Sequence, residues 1–118
     1  MTQAKILVVD DEPNIRFFLE RVLTRDGYEV VAVASGEEAL ALVAEQDFDL
    51  VMLDLKLKGK NGMQVLTQLR QDFPNLAVII LTGYATLDTA VEALRHGAHD
   101  YLFKPAKTMQ VRESVRSA

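Results

Sequence analysis

The sequence predicts an α/β fold, a doubly wound parallel sheet of five strands with helices on both faces. Three observations carry that expectation. Short apolar runs of strand length recur at nearly even spacing, segments of helical period lie between them, and the runs are apolar throughout rather than alternating. Strands buried on both faces read that way, and alternating strands and helices imply right-handed crossovers that make the sheet parallel. At 118 residues the chain is the size of one domain. No internal repeat, low-complexity tract or linker divides it.

The first strand is "ILVV" (6–9). After it Ile15, Phe18, Leu19, Val22 and Leu23 form one apolar stripe at helical spacing, and Gly27 follows as a C-cap. "VVAV" (30–33) is the second strand; "SGEEALALVAEQ" is the second helix, with Ser35 as N-cap and acids in its first turn. "LVML" (50–53) leads to the helix "GMQVLTQLRQDFP", closed by Pro74. "AVIIL" (77–81) leads to "TLDTAVEALRHG", where Leu87, Val91 and Leu94 share a face expected to pack on the core and Gly97 ends the helix. "YLF" (101–103) is the last strand. The final helix, roughly 107–117, has only Met109, Val111 and Val115 as apolar residues. The expected organisation is one unit over 1–118, with no residues for an output domain, and a fragment of a longer protein is favoured over a freestanding one.

Composition narrows the function. Thirteen basic against seventeen acidic residues give a formal charge of −4, which offers no general attraction to nucleic acid, so direct binding of nucleic acid is not expected. The absence of Cys excludes disulfides, thiolate chemistry and zinc-thiolate sites. "MTQAK" runs straight into "ILVVD" without a secretory apolar stretch, so a cytoplasmic location is expected. The longest apolar runs are about five residues, far below the ~20 that span a bilayer, and no membrane segment is expected.

Ligands of open α/β sheets bind outside the carboxyl ends of the strands. The residues leaving those ends are Asp10 and Asp11 after the first strand, Asp54 after the third, Thr82 after the fourth and Lys104 after the fifth; the second offers Ala34 and Ser35. Taken singly these are ordinary. Asp10 and Asp11 would cap a helix in "DEP", Asp54 would form a turn, and Lys104 would be a surface lysine. Taken together they bring three carboxylates, a hydroxyl and an ammonium to one edge. Three like charges at close range require a cation, and an oxygen-only donor set selects a hard ion such as Mg²⁺, completed by water and phosphoryl oxygens. A carboxylate in that setting can be a nucleophile that forms an aspartyl phosphate, with metal, ammonium and hydroxyl neutralising the transferred group.

"ILVVDDEPNIR", "DLVMLDLKL…NG", "VIILTGYATLDTAVEAL" and "GAHDYLFKP" resemble, in this order and spacing, the receiver domain of two-component response regulators over essentially the whole chain. The run from Thr82 to Pro105 looks most like receivers of nitrogen-regulatory-type activators. The resemblance implies a flavodoxin-like fold with strand order 2-1-3-4-5. It implies that Asp54 is the phosphoacceptor, that Asp10, Asp11, Asp54 and the backbone carbonyl of Lys56 hold Mg²⁺, and that Thr82 and Lys104 grip the phosphoryl oxygens. The Lys104-Pro105 peptide would be cis. Tyr101 matches the aromatic switch position, turning inward as Thr82 moves; Lys56 and Tyr84 match positions that tune phosphate lifetime. The implied partners are a sensor histidine kinase and an output domain or downstream partner met through the Leu87 to Ser117 region, with a homodimer through the fourth-helix face compatible with it.

One departure stands out. Receivers commonly carry Met-Pro where this chain has Leu57-Lys58, so the loop after Asp54 loses a rigid residue and gains charge, with Lys56, Lys58 and Lys60 in succession. Among other functions, a dinucleotide enzyme is excluded because "VVDDEPN" has no glycine fingerprint. The remaining alternative is a receiver-like interaction module that signals without phosphorylation. His96 and His99 are read as surface residues.

Overall fold

A computed structural model of the chain describes residues 4–57, 61–83 and 86–118; the expectations for Lys58, Lys60 and Tyr84 lie outside them. The elements run β1 (Lys5–Val9), α1 (Pro13–Arg25), β2 (Glu29–Val33), α2 (Gly36–Glu45), β3 (Leu50–Leu53), α3 (Gly62–Asp72), β4 (Ala77–Thr82), α4 (Leu87–Arg95), β5 (Asp100–Phe103) and α5 (Thr108–Ser117). All five strands are parallel, in the order β2-β1-β3-β4-β5. That is the flavodoxin-like order. Among the described residues no helix is long and apolar enough to cross a membrane.

Successive residues of each central strand point to opposite faces, and the two cores divide accordingly. Leu7 and Val9, Val51 and Leu53, and Val78 and Ile80 meet Ala39, Val43, Val65, Leu66, Leu69 and Ala93. Ile6 and Val8, Leu50 and Met52, and Ile79 and Leu81 meet Leu19, Val22, Leu23, Val111 and Val115. Hence α2, α3 and α4 cover one face, and α1 and α5 the other. The outer strands are less covered: Val33 is the one buried residue of β2, and Phe103 of β5 is 62% exposed.

The helix ends follow local chemistry. Ser35 caps α2 by accepting from the Glu38 N–H, and Asn61 caps α3 by accepting from the Met63 N–H. Gly27 and Gly97 follow α1 and α4 at φ +92°, where a Cβ is strained. The expectation for α4 needs correction. Leu87, Val91 and Leu94 do share a face, yet they are 80%, 40% and 53% exposed, while Ala93 is the buried residue of the helix. Apolar spacing reveals that a helix has a stripe but not which element covers it.

The turn after β3 is held by close packing. Gly62 donates its N–H to the Leu55 carbonyl at 3.0 Å, and a Cβ built on Gly62 would collide with the Asp54 carbonyl and the Leu55 Cα and lie 2.7 Å from the Leu55 oxygen. All three are backbone atoms, so no side-chain rotation relieves the clash. Gly62→Ala is therefore expected to lower stability by about 2 kcal/mol or more and to shift the amide resonances of Asp54 and Leu55. Chemical denaturation with amide spectra checks both, and an unchanged midpoint would contradict the packing argument.

Candidate functional site

The sheet ladder places the functional groups. Register pairs Val9 with Leu53, Leu53 with Ile80 and Thr82 with Phe103. The ladder extends one hydrogen bond past each strand end: Asp10 N–H donates to the Val33 carbonyl at 3.1 Å, Asp54 N–H to Val9 at 3.0 Å and Lys104 N–H to Thr82 at 2.9 Å. Main-chain bonds thus fix where each side chain leaves the edge. Asp10, Asp54 and Thr82 are buried there, at 2%, 3% and 0% exposure. Thr82 closes β4 rather than following it.

Lys104 reaches across this edge. Its Nζ lies 2.8 Å from Asp10 Oδ2, 2.8 Å from Asp54 Oδ2 and 3.0 Å from Glu12 Oε1. The other oxygens of the two buried acids take backbone donors: Glu12 N–H to Asp10 Oδ1 at 2.9 Å and Lys56 N–H to Asp54 Oδ1 at 3.0 Å. Burial pushes the Asp10 carboxyl above its ordinary 3.8, against the pull of Lys104 and the Glu12 N–H. Burial alone would lower the Lys104 ammonium, but its bonds to Asp10, Asp54 and Glu12 outweigh that and hold it above the ordinary 10.5.

These groups border a cavity of about 350 Å³ lined by Asp11, Glu12, Asp54, Lys56, Gly83 and Lys104. Carboxylate oxygens of Asp10, Asp11, Glu12 and Asp54 all lie within 4.8 Å of one another. Oxygen donors alone, four of them anionic, fit a hard divalent cation and offer nothing to a soft one. The edge therefore combines a buried carboxylate, an ammonium, a hydroxyl and a cation-sized acidic cleft.

The remaining expected residues are close by. The Lys104-Pro105 peptide is cis. Tyr101 is half-buried, its ring edge-on to Phe103 at 5.6 Å and its hydroxyl 2.8 Å from Thr89 Oγ1 on α4. His96 and His99 are exposed and away from the cavity.

Three contributions escaped sequence reasoning. Glu12 stands at the α1 N-cap without a side-chain cap bond and turns to Lys104 instead; its place in "DDEP" was the available signal. Arg16 donates from Nη1 to the Asp10 carbonyl at 2.8 Å, pinning the acid loop from the first turn of α1. Thr89 forms a reciprocal capping box with Thr86 while touching Tyr101. Nothing local in the sequence announces those last two contacts.

A family model described as the response regulator receiver domain matches residues 6–116. The chain is 44% identical over 110 residues to the alginate biosynthesis transcriptional regulatory protein AlgB of Pseudomonas aeruginosa, covering 93% of this chain and 24% of that protein. It is 36% identical over 116 residues to sporulation initiation phosphotransferase F of Bacillus subtilis, covering 98% and 94%. Among solved structures, a response regulator protein from Burkholderia pseudomallei with a phosphorylated aspartic acid, calcium ion and citrate aligns with a TM-score of 0.88 and 34% identity, covering 95% of this chain and 66% of that one. The chain spans about a quarter of the length of the curated relatives it matches first.

The ammonium network has a measurable consequence. Lys104→Ala strands two buried carboxylates and is expected to cost roughly 3 kcal/mol, the low end for breaking a buried pair because the cavity admits water. Since the folded protein binds the Lys104 proton more tightly than the unfolded chain, this contribution is fully present below pH 10.5 and is lost as pH rises through the higher folded value. The stability gap between wild type and variant, read from urea midpoints, should stay level from neutral pH to about 10 and narrow above it. A gap that closes on going from neutral to pH 9 would contradict this.

Proposed function

The chain belongs to the response regulator receiver family, and from that premise we propose that Asp54 is its phosphoacceptor, taking a phosphoryl group from a phosphohistidine on a sensor kinase. The observation that carries the reading is the Asp54 carboxylate itself, 3% exposed yet bordering an acidic cavity with an ammonium at 2.8 Å. An Asp54 oxygen attacks phosphorus, the new P–O bond forms as the donor's P–N bond breaks, and the imidazole leaves with the bonding pair. Lys104 and the Thr82 hydroxyl receive the phosphoryl oxygens. Asp10, Asp11, Asp54 and the Lys56 carbonyl would hold a divalent cation of the magnesium type, which when bound neutralises charge between the acids and the phosphoryl oxygens.

The domain catalyses its own phosphorylation and its own return to the free acid; no separate substrate is turned over. Phosphorylation biases a two-state element. Thr82 moves toward the phosphate, Tyr101 leaves Thr89 and turns inward, and α4 with β5 and α5 rearranges. Leu87, Val91 and Leu94 of α4, Phe103 of β5 and Met109 of α5 are already exposed, and apolar side chains of this kind receive a partner or a second copy where they gather into a patch. The similarity to AlgB supports transcriptional output through a further domain, and that to the sporulation phosphotransferase a freestanding relay; the first is favoured because the run from Thr82 to Pro105 looks like that of the activators.

Incubation with Mg²⁺ and acetyl phosphate should add one phosphoryl mass to the wild type and none to Asp54→Asn, read by intact-mass spectrometry. An unmodified wild type would favour the phosphorylation-independent interaction module instead.

Lys56 lines the cavity two residues past Asp54, where its side chain restricts the approach of water to the phosphoryl group. Lys56→Ala is expected to shorten the phosphate lifetime about threefold or more, while the extent of labelling at saturating donor changes little. Equal decay rates for the two proteins would refute this role.

A further inference from the structure

Resting on the assignment of Asp54 as phosphoacceptor, we infer that Glu12 is a positioning residue for the transfer: its carboxylate occupies one hydrogen of the Lys104 ammonium until a phosphoryl oxygen replaces it. An ammonium has three N–H donors and no acceptor. Here three carboxylates surround Lys104 Nζ: it donates to Asp54 at 2.8 Å and to Glu12 at 3.0 Å and is ion-paired with Asp10 at 2.8 Å, so an arriving phosphoryl group must displace one of these acids.

Burial decides which. The Asp10 and Asp54 side chains are 3% and 4% exposed, whereas that of Glu12 is 59% exposed on the rim of the cavity. Water compensates Glu12 when it lets go, and exposed ion pairs are the weakest kind. Buried acids losing the same partner have no such compensation.

The backbone supports the assignment. Glu12 is the N-cap of α1, where a short Ser, Thr, Asp or Asn would turn back onto the helix N–H groups; the longer Glu12 makes no such bond and reaches a residue 92 positions away. Its own N–H, meanwhile, donates to Asp10 Oδ1. Glu12 therefore holds Lys104 over the acids in the free protein and opposes an anionic donor through the same contact. It exchanges no proton and forms no bond with the phosphoryl group; in transfer from acetyl phosphate an Asp54 oxygen gains the P–O bond and acetate leaves.

The test measures the rate of phosphorylation by acetyl phosphate at saturating Mg²⁺. Glu12→Gln should be faster than wild type by roughly threefold to fivefold, the scale of one exposed ion pair. A structural lesion would slow the reaction instead. Glu12→Asp keeps the charge but shortens the reach, and should also be faster; an Asp variant matching wild type would show that charge alone acts and would overturn the contact. Combined with Lys104→Ala, Glu12→Gln should have no further effect, because its partner is gone, and a full additive effect would likewise overturn it. A wild type that accepts no phosphate defeats the Asp54 assignment and this inference together; a wild type that is labelled at the same rate as Glu12→Gln defeats this inference alone.

Discussion

One ammonium group makes the carboxyl edge of this sheet tenable. Asp10 and Asp54 are each almost wholly buried, and two carboxylates at that depth repel one another while losing their hydration. At an effective dielectric of 20, a unit pair at 4 Å is worth about 4 kcal/mol, enough to decide whether the edge stays packed. Lys104 supplies that attraction to both acids at once. Its position in turn depends on the backbone bond from Lys104 to Thr82 and on the pairing of β5 with β4. The chemistry of the edge and the pairing of the sheet are therefore one problem.

The same edge explains why so much of the molecule could be read without coordinates. Strand ends are points where a continuous apolar run meets a polar residue, and five such boundaries survive in the sequence as "VVDD", "MLDL", "ILTG", "LFKP" and "AVAS". A parallel sheet brings them together whatever the loops do. Asp10, Asp54, Thr82 and Lys104 were legible for that reason.

What remained hidden is contact between elements. Glu12 faces a lysine 92 residues away, Arg16 holds a carbonyl six residues back and Thr89 meets Tyr101; each depends on how two elements lie against each other, which no local pattern encodes. The stripe on α4 failed for the related reason that periodicity describes a helix alone. Its Leu and Val positions answer to solvent, the one buried side chain is small, Ala93, and Thr89 adds a hydroxyl contact with Tyr101.

The two helices flanking β5 are attached very differently. Ser114 on α5 bonds Asp100 at 2.6 Å, Arg112 bonds Asp26 of α1 at 2.9 Å, and Val111 and Val115 enter the core. The nine residues of α4 rest on Ala93, a capping box and the hydroxyl of Tyr101. An element whose one buried side chain is an alanine detaches at small cost. Sparse burial of that kind is what places amides in the low-protection class of hydrogen exchange, opening without disturbing the sheet beneath. Such softness keeps the work needed to relocate the helix within what a few hydrogen bonds at the strand ends can deliver.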